Sequence, residues 1–167
     1  FHVVGAQRPA GGDHLVERQT QVGRRVREVG EPDFVILGAD RQRLALSGTA
    51  VAFCPSSNLF LGSGLFDMQA MQQHRVGLSI GSDVGAGTSF SLLKTLADAY
   101  KICQLGSYNL SPLQAFYLLT LGAARALYLD RQLGNFDAGK EADFVVIDLQ
   151  STPLMRRRLA HAQDLAD

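Results

Sequence analysis

The stretch from Arg75 to Leu93, RVGLSIGSDVGAGTSFSLL, constrains this chain more than any other. Val76, Leu78 and Ile80 lead to Gly81-Ser82-Asp83, and a loop of small and hydroxyl residues follows. An apolar strand that ends in a carboxylate and opens into a permissive loop is how α/β enzymes present a reactive group. Beyond the loop a helix is predicted from about Ser89 to Gln104, with Phe90, Leu93, Leu96, Ala97, Tyr100 and Cys103 on its apolar face. Upstream, Thr49 to Cys54 (TAVAFC) reads as a second buried strand, stopped by Pro55. Pro55-Ser56-Ser57-Asn58 reads as a turn, Leu59 to Gly64 as an apolar loop and Leu65 to Gln73 as a helix. The order strand, helix, strand, helix predicts an α/β fold with a parallel sheet and crossover helices.

The flanks carry weaker signals. From His14 to Val29 the apolar positions trace a partial helical face, and Phe34 to Leu37 reads as a short strand. Asp40 to Leu46 reads as a short helix with Gly48 as its cap. Ser111-Pro112-Leu113-Gln114 is a helix start with a capping box, and Gly122 is expected to stop that helix. A second short helix is expected from Ala123 to Leu129, and Gly134 to Lys140 as a turn-rich bridge. Ala142 to Leu149 (ADFVVIDL) is predicted as a strand of a separate small β-domain, and the chain from Ser151 onward as a helix.

Composition excludes several classes. The chain has 167 residues, enough for one ordinary core, with 16 basic and 16 acidic side chains and a formal net charge of zero. That balance offers nucleic acid no basic surface, and Arg156-Arg157-Arg158 reads as a solvated face. No apolar run approaches the ~18 residues of a membrane span, and no signal peptide is visible. Cys54 and Cys103 lie far apart, which argues for two buried thiols in a reducing compartment, the cytoplasm, and against a disulfide framework.

Among the chemical candidates Asp83 stands first, although an aspartate after a strand can simply cap the next turn. His2, His14, His74 and His161 show neither H-x-H nor i, i+4 spacing, so they form no metal-ligand pattern. His74 falls at the helix-to-strand turn, at the opposite end of the strand from Asp83. Cys54 sits within an apolar strand, with no histidine near it in sequence, and reads as an inert thiol. Ser82 lacks the G-x-S-x-G elbow, and Gly85-Ala86-Gly87 matches no dinucleotide or phosphate loop.

Three segments together carry a resemblance. Cys54-Pro55-Ser56-Ser57-Asn58-Leu59, then Gly81 to Ser91 (GSDVGAGTSFS), then Gly134-Asn135-Phe136 with Gly139 to Phe144 (GKEADF), resemble the guanine deaminases of the amidohydrolase superfamily. The similar region runs from about Leu44 to Leu154 in one register. The resemblance implies a (β/α)8 barrel with one zinc ion at the C-terminal strand ends, beside a small β-sandwich built from both chain ends. On that template Thr49 to Cys54 is similar to barrel strand seven and Val76 to Ile80 to strand eight. Asp83 then matches the aspartate that binds zinc and accepts a proton from the attacking water. The implied reaction is hydrolysis of guanine to xanthine and ammonia, and the implied assembly is a homodimer. No residue here could be assigned to substrate binding.

The departures from the family pattern are as informative. Its other zinc ligands, all histidines, and its proton-shuttling glutamate cannot be placed in this sequence. Phe53 stands where the family usually has histidine before Cys-Pro, so the polar surroundings of the site are expected to differ. The division implied is a divergent segment, 1–38, a C-terminal barrel portion, 39–133, and a truncated return to the sandwich, 134–167. With one ligand, the chain alone is expected to be inactive. The alternatives are another deaminase or chlorohydrolase of the superfamily acting on a different heterocycle, or a non-catalytic remnant.

Overall fold

In the computed structural model the two central strands pair as the sequence predicts. The structure describes Ile36 and residues 38–163 in full, and two further segments as backbone strands. Those are β1 (Val4–Gln7) and β2 (Val16–Gln19), antiparallel with Val4 opposite Gln19 and Gln7 opposite Val16. The helix expected over His14 to Val29 is therefore a strand at Val16–Gln19, where pairing with β1 overrides a weak helical pattern; the rest of that span lies outside the described residues. Of Phe34 to Leu37, Ile36 alone is described; it is not in a strand and is buried in the core.

Helix α1 (Gly38–Ser47) leads into β3 (Val51–Phe53), and α2 (Pro55–Leu61) and α3 (Met68–Gln73) cross to β4 (Leu78–Ile80). β3 and β4 are parallel, with Val51 opposite Leu78, Ala52 opposite Ser79 and Phe53 opposite Ile80. Alternation puts Val51, Phe53, Leu78 and Ile80 on one buried face and leaves Ala52 and Ser79 half-buried on the other. The buried face packs with Met68, Met71, Ala99, Ile102 and Leu118 into one apolar cluster. Phe53 stacks on Phe66, ring centroids 4.4 Å apart, deep in that cluster.

The segment after Pro55 corrects the sequence reading. Pro55 to Asn58 is the first turn of α2, not a turn between elements, and Leu59 to Leu61 continue the helix rather than forming a loop. Proline fits a first helical turn, and Gly62, at φ 67°, closes the helix by donating its N–H to the Asn58 and Leu59 carbonyls. Leu59, Phe60 and Leu61 are all exposed, so no apolar periodicity announced the helix. α3 starts at Met68, three residues later than expected, because Asp67 caps it by accepting from the Ala70 N–H at 2.8 Å. Phe66 just before it is thereby freed to stack on Phe53.

Helix α4 (Leu92–Leu105) is capped by Ser91, which accepts from the Lys94 N–H. Its buried face is Thr95, Ala99, Ile102 and Cys103, a rotated version of the predicted one. Phe90 is 86% exposed and Tyr100 48%, because α4 meets α2, α5 and β4 through small residues that allow close approach. Ser111 caps α5 (Pro112–Leu119) as expected, while the Gln114 side chain bonds Tyr108 Oη instead of completing the box. α6 (Leu121–Ala126) begins before Gly122, not after it. Gly122 is there for contact: a Cβ on it would lie 2.7 Å from the Tyr117 carbonyl oxygen.

Ala142 to Leu149 is not a strand. Its residues have no regular structure and are exposed, with Val145 at 85% and Val146 at 83%. A β-rich run needs a neighbouring edge to bond, and none adjoins it among the described residues. α7 (Pro153–Leu159), capped by Thr152, follows and buries none of its residues. No helix among the described residues is long and apolar enough to cross a membrane.

Candidate active site

The site lies where β3 and β4 end on the same side. The pairing extends one step past the strands, the Gly81 N–H donating to the Phe53 carbonyl at 3.0 Å. A Cβ on Gly81 would sit 3.2 Å from Cys54 Sγ, so a small residue keeps the two strand ends together. Beyond Gly81 the chain turns sharply at Asp83, whose φ of 46° is in the left-handed region. For a non-glycine residue that conformation costs on the order of 1–3 kcal/mol and needs support from its surroundings.

Two contacts among the described residues contribute to that support. The Gly87 N–H donates to the Asp83 carbonyl at 2.7 Å, closing the loop on itself. Gly87 is obligatory there, since a Cβ would lie 1.7 Å from the Ser82 carbonyl oxygen. On the side-chain end, Ser57 Oγ donates to Asp83 Oδ2 at 2.6 Å, within the short range of hydrogen bonds to carboxylates. Ser57, the third residue of α2, is 1% exposed and is delivered to the site by the helix that follows β3. Ser56 Oγ and Asn58 Nδ2, its neighbours in the same turn, are buried without a hydrogen-bond partner.

Asp83 follows the second parallel strand, where the sequence placed it, and its carboxylate is half-buried. Ser57 went unrecognised: its link to Asp83 spans 26 residues, and the turn reading of Pro55 to Asn58 hid the helix that places it. Cys54 is buried beside the site, and burial, with the nearby Asp83 charge, pushes its thiol up to about 11. It is no nucleophile at neutral pH. Burial alone pushes Cys103 up to about 11 as well. Both cysteines are unpaired. Phe53 lies in the apolar core, stacked on Phe66. His74 is an exposed C-cap of α3 and His161 is exposed after α7, while His2 and His14 lie outside the described residues.

Among the described residues no group of three histidine, cysteine, aspartate or glutamate side chains converges on a point that could hold a metal ion. Asp83 fits one ligand position: a hard carboxylate donor at a strand end, its side chain already fixed by a hydrogen bond. The described residues do not make a closed metal centre.

Guanine deaminase of Escherichia coli strain K12 is 50% identical over 125 residues, 75% of this chain and 28% of that protein. The solved structure of E. coli guanine deaminase matches 77% of this chain and 30% of its own, with TM-score 0.75 and 48% identity. An adenosine deaminase from Xanthomonas campestris, solved with bound zinc, matches 69% of this chain and 27% of its own, with TM-score 0.64 and 31% identity. The chain therefore spans less than a third of the length of the relatives it matches. The likeness implies a TIM-barrel-like hydrolase fold, to which the β3–β4 pair and its helices correspond in part. With the amidohydrolase family profile matching residues 24–167, the chain belongs to the amidohydrolase family.

Proposed function

We propose that this chain supplies the C-terminal part of a zinc-dependent guanine deaminase, which hydrolyses guanine to xanthine and ammonia. The observation that carries the reading is Asp83, held at the end of a parallel strand by Ser57 and by the Gly87 loop closure. Between solved structures, identity of 48% to the E. coli guanine deaminase, against 31% to the zinc-bound adenosine deaminase, favours guanine over other heterocycles. In this reading residues 39–133 are the last two βα units of a (β/α)8 barrel, and 134–167 begin the return to an accompanying β-sandwich. The exposed FVVI run of Phe144 to Ile147 would then be one of the sandwich strands, bonded to partners from elsewhere in the enzyme. Residues 1–38 are read as a divergent segment, although 24–38 fall within the family match. The enzyme is cytoplasmic, in keeping with two unpaired buried thiols, and assembles as a homodimer.

When bound, zinc supplies an acidified water, with a pKa lowered toward neutrality. Asp83 would hold the ion through one carboxylate oxygen and would take a proton from the attacking water, so its side chain must be correctly turned before substrate arrives. Ammonia leaves from the amino-bearing C2 of guanine as the oxygen of water takes its place. The apolar core behind β3 and β4 keeps the strand ends rigid, which is what a reaction dependent on the placement of one carboxylate requires. The described residues hold one ligand, so the isolated chain is inactive.

The test joins the chain, in frame, to the upstream part of the E. coli guanine deaminase and assays a panel of purines and pyrimidines for ammonia release. Guanine is expected to be the preferred substrate, and the isolated chain to give no turnover. Preference for another heterocycle would replace guanine with that substrate class; turnover by the isolated chain would overturn the one-ligand account.

A further inference from the structure

We propose that Ser57 is the residue that positions the Asp83 carboxylate, a role that rests on the deaminase reading of Asp83. Three observations carry it. Ser57 is 1% exposed, so its hydroxyl has no solvent to bond and is committed to the protein interior. It donates to Asp83 Oδ2 at 2.6 Å, short enough for a strong bond to an ionised oxygen. And it joins the ends of the two parallel strands: Ser57 follows β3 on the first turn of α2, whereas Asp83 lies three residues past β4.

The backbone of Asp83 is already fixed, by its left-handed φ and the Gly87 N–H, so the remaining freedom is rotation of the side chain. An unanchored aspartate carboxylate turns readily about its two torsions, presenting either oxygen in several directions. The bond to Ser57 selects one rotamer and sets which oxygen faces Ser57. Because Ser57 rides on a helix whose first turn is buried, the anchor is as rigid as the core beneath it. Hydrogen-bonding partners of this kind, which orient a reactive or ligating carboxylate without touching substrate, typically change metal affinity or activity by about 10–100-fold when removed.

Two measurements test the role. In the 167-residue chain, three-bond couplings between Asp83 Cγ and its backbone nitrogen and carbonyl carbon report the side-chain rotamer by NMR. The native chain is expected to show one rotamer, Ser57→Ala rotamer averaging, and the near-isosteric weak donor of Ser57→Cys an intermediate degree. Ser57→Thr, which keeps the hydroxyl, is expected to restore a single rotamer. In the chain joined to the upstream part of the E. coli enzyme, Ser57→Ala is expected to lower kcat at least about ten-fold with KM within about two-fold. Couplings unchanged in both Ser57→Ala and Ser57→Cys would overturn the positioning role, whatever the kinetics. An inactive joined enzyme with native Ser57 would instead overturn the deaminase reading, and the couplings would register that failure separately. A rise in KM with kcat unchanged would show Ser57 to serve substrate binding and would also overturn the proposal.

Discussion

Three short apolar runs in this chain look alike in sequence, yet two of them meet one fate and the third the opposite. Val51-Ala52-Phe53 and Leu78-Ser79-Ile80 pair in parallel and bury one face almost completely. Phe144-Val145-Val146-Ile147 has at least as strong a strand preference, yet lies exposed along its length. β-propensity measures how well a residue fits a pleated, half-buried surface that already exists. The paired runs supply that surface to each other, through a crossover of two helices and a shared floor of Met68, Met71, Ala99 and Ile102. The FVVI run has a good sequence but no strand edge beside it among the described residues. The candidate site follows the same division, since the paired strands hold Asp83 in place.

The contrast can be broken most forcefully in the core. Phe53→Ala removes a fully buried ring stacked on Phe66 and is expected to cost about 3–5 kcal/mol, read as a shift in the urea midpoint. Val146→Ala, at 83% exposure, is expected to change stability by less than about 0.5 kcal/mol in the same experiment. Comparable losses at the two positions would mean that the FVVI run is packed after all.

At the strand ends the expected effect is smaller but aimed at the site. Gly87→Ala drives a Cβ onto the backbone oxygen of Ser82, which cannot give way as a side chain could. A loss of about 1–3 kcal/mol is expected, with chemical-shift changes concentrated from Ser82 to Thr88. A Gly87→Ala chain as stable as the native one would contradict the tight loop that supports Asp83.

The thiols sharpen the comparison from the chemical side. Cys54 and Cys103 each sit at about 11 in the folded chain against an ordinary 9.0, so folding favours the protonated form. Their contribution is fully present below about 9, the unfolded value, and is lost as pH rises through about 11 in the folded chain. At pH 8, iodoacetamide is expected to modify both cysteines slowly in the native chain and quickly in denaturant. Rapid native modification of Cys54 would place it outside the packed floor of the site.

How much of this was legible beforehand depends on distance along the chain. The two strands, the carboxylate at the end of the second and the Ser111 cap were readable because each is a local pattern of a few residues. Helix α2 was not, because Leu59, Phe60 and Leu61 face outward and give no periodic signal, although Pro55 and Gly62 mark its two ends. The buried face of α4 was misplaced for a related reason. Its contact surface is made by Thr95 and Ala99, small residues that allow close helix packing, while the large apolar ones remain outside. The hydrogen bond from Ser57 to Asp83 links positions 26 residues apart and becomes visible when the parallel register brings the two strand ends together. Strand formation at Ala142 to Leu149 was overread because propensity is local and pairing is not.

The measurement that bears most directly on the whole account is guanine turnover by the chain joined to the upstream part of the E. coli enzyme, with Asp83 replaced by asparagine. Asparagine keeps the size and most of the hydrogen bonding but cannot accept a proton as a carboxylate does. The account predicts a fall in kcat of roughly 100- to 10,000-fold for Asp83→Asn, with the fold retained. Turnover by Asp83→Asn within a few-fold of the native residue would contradict it.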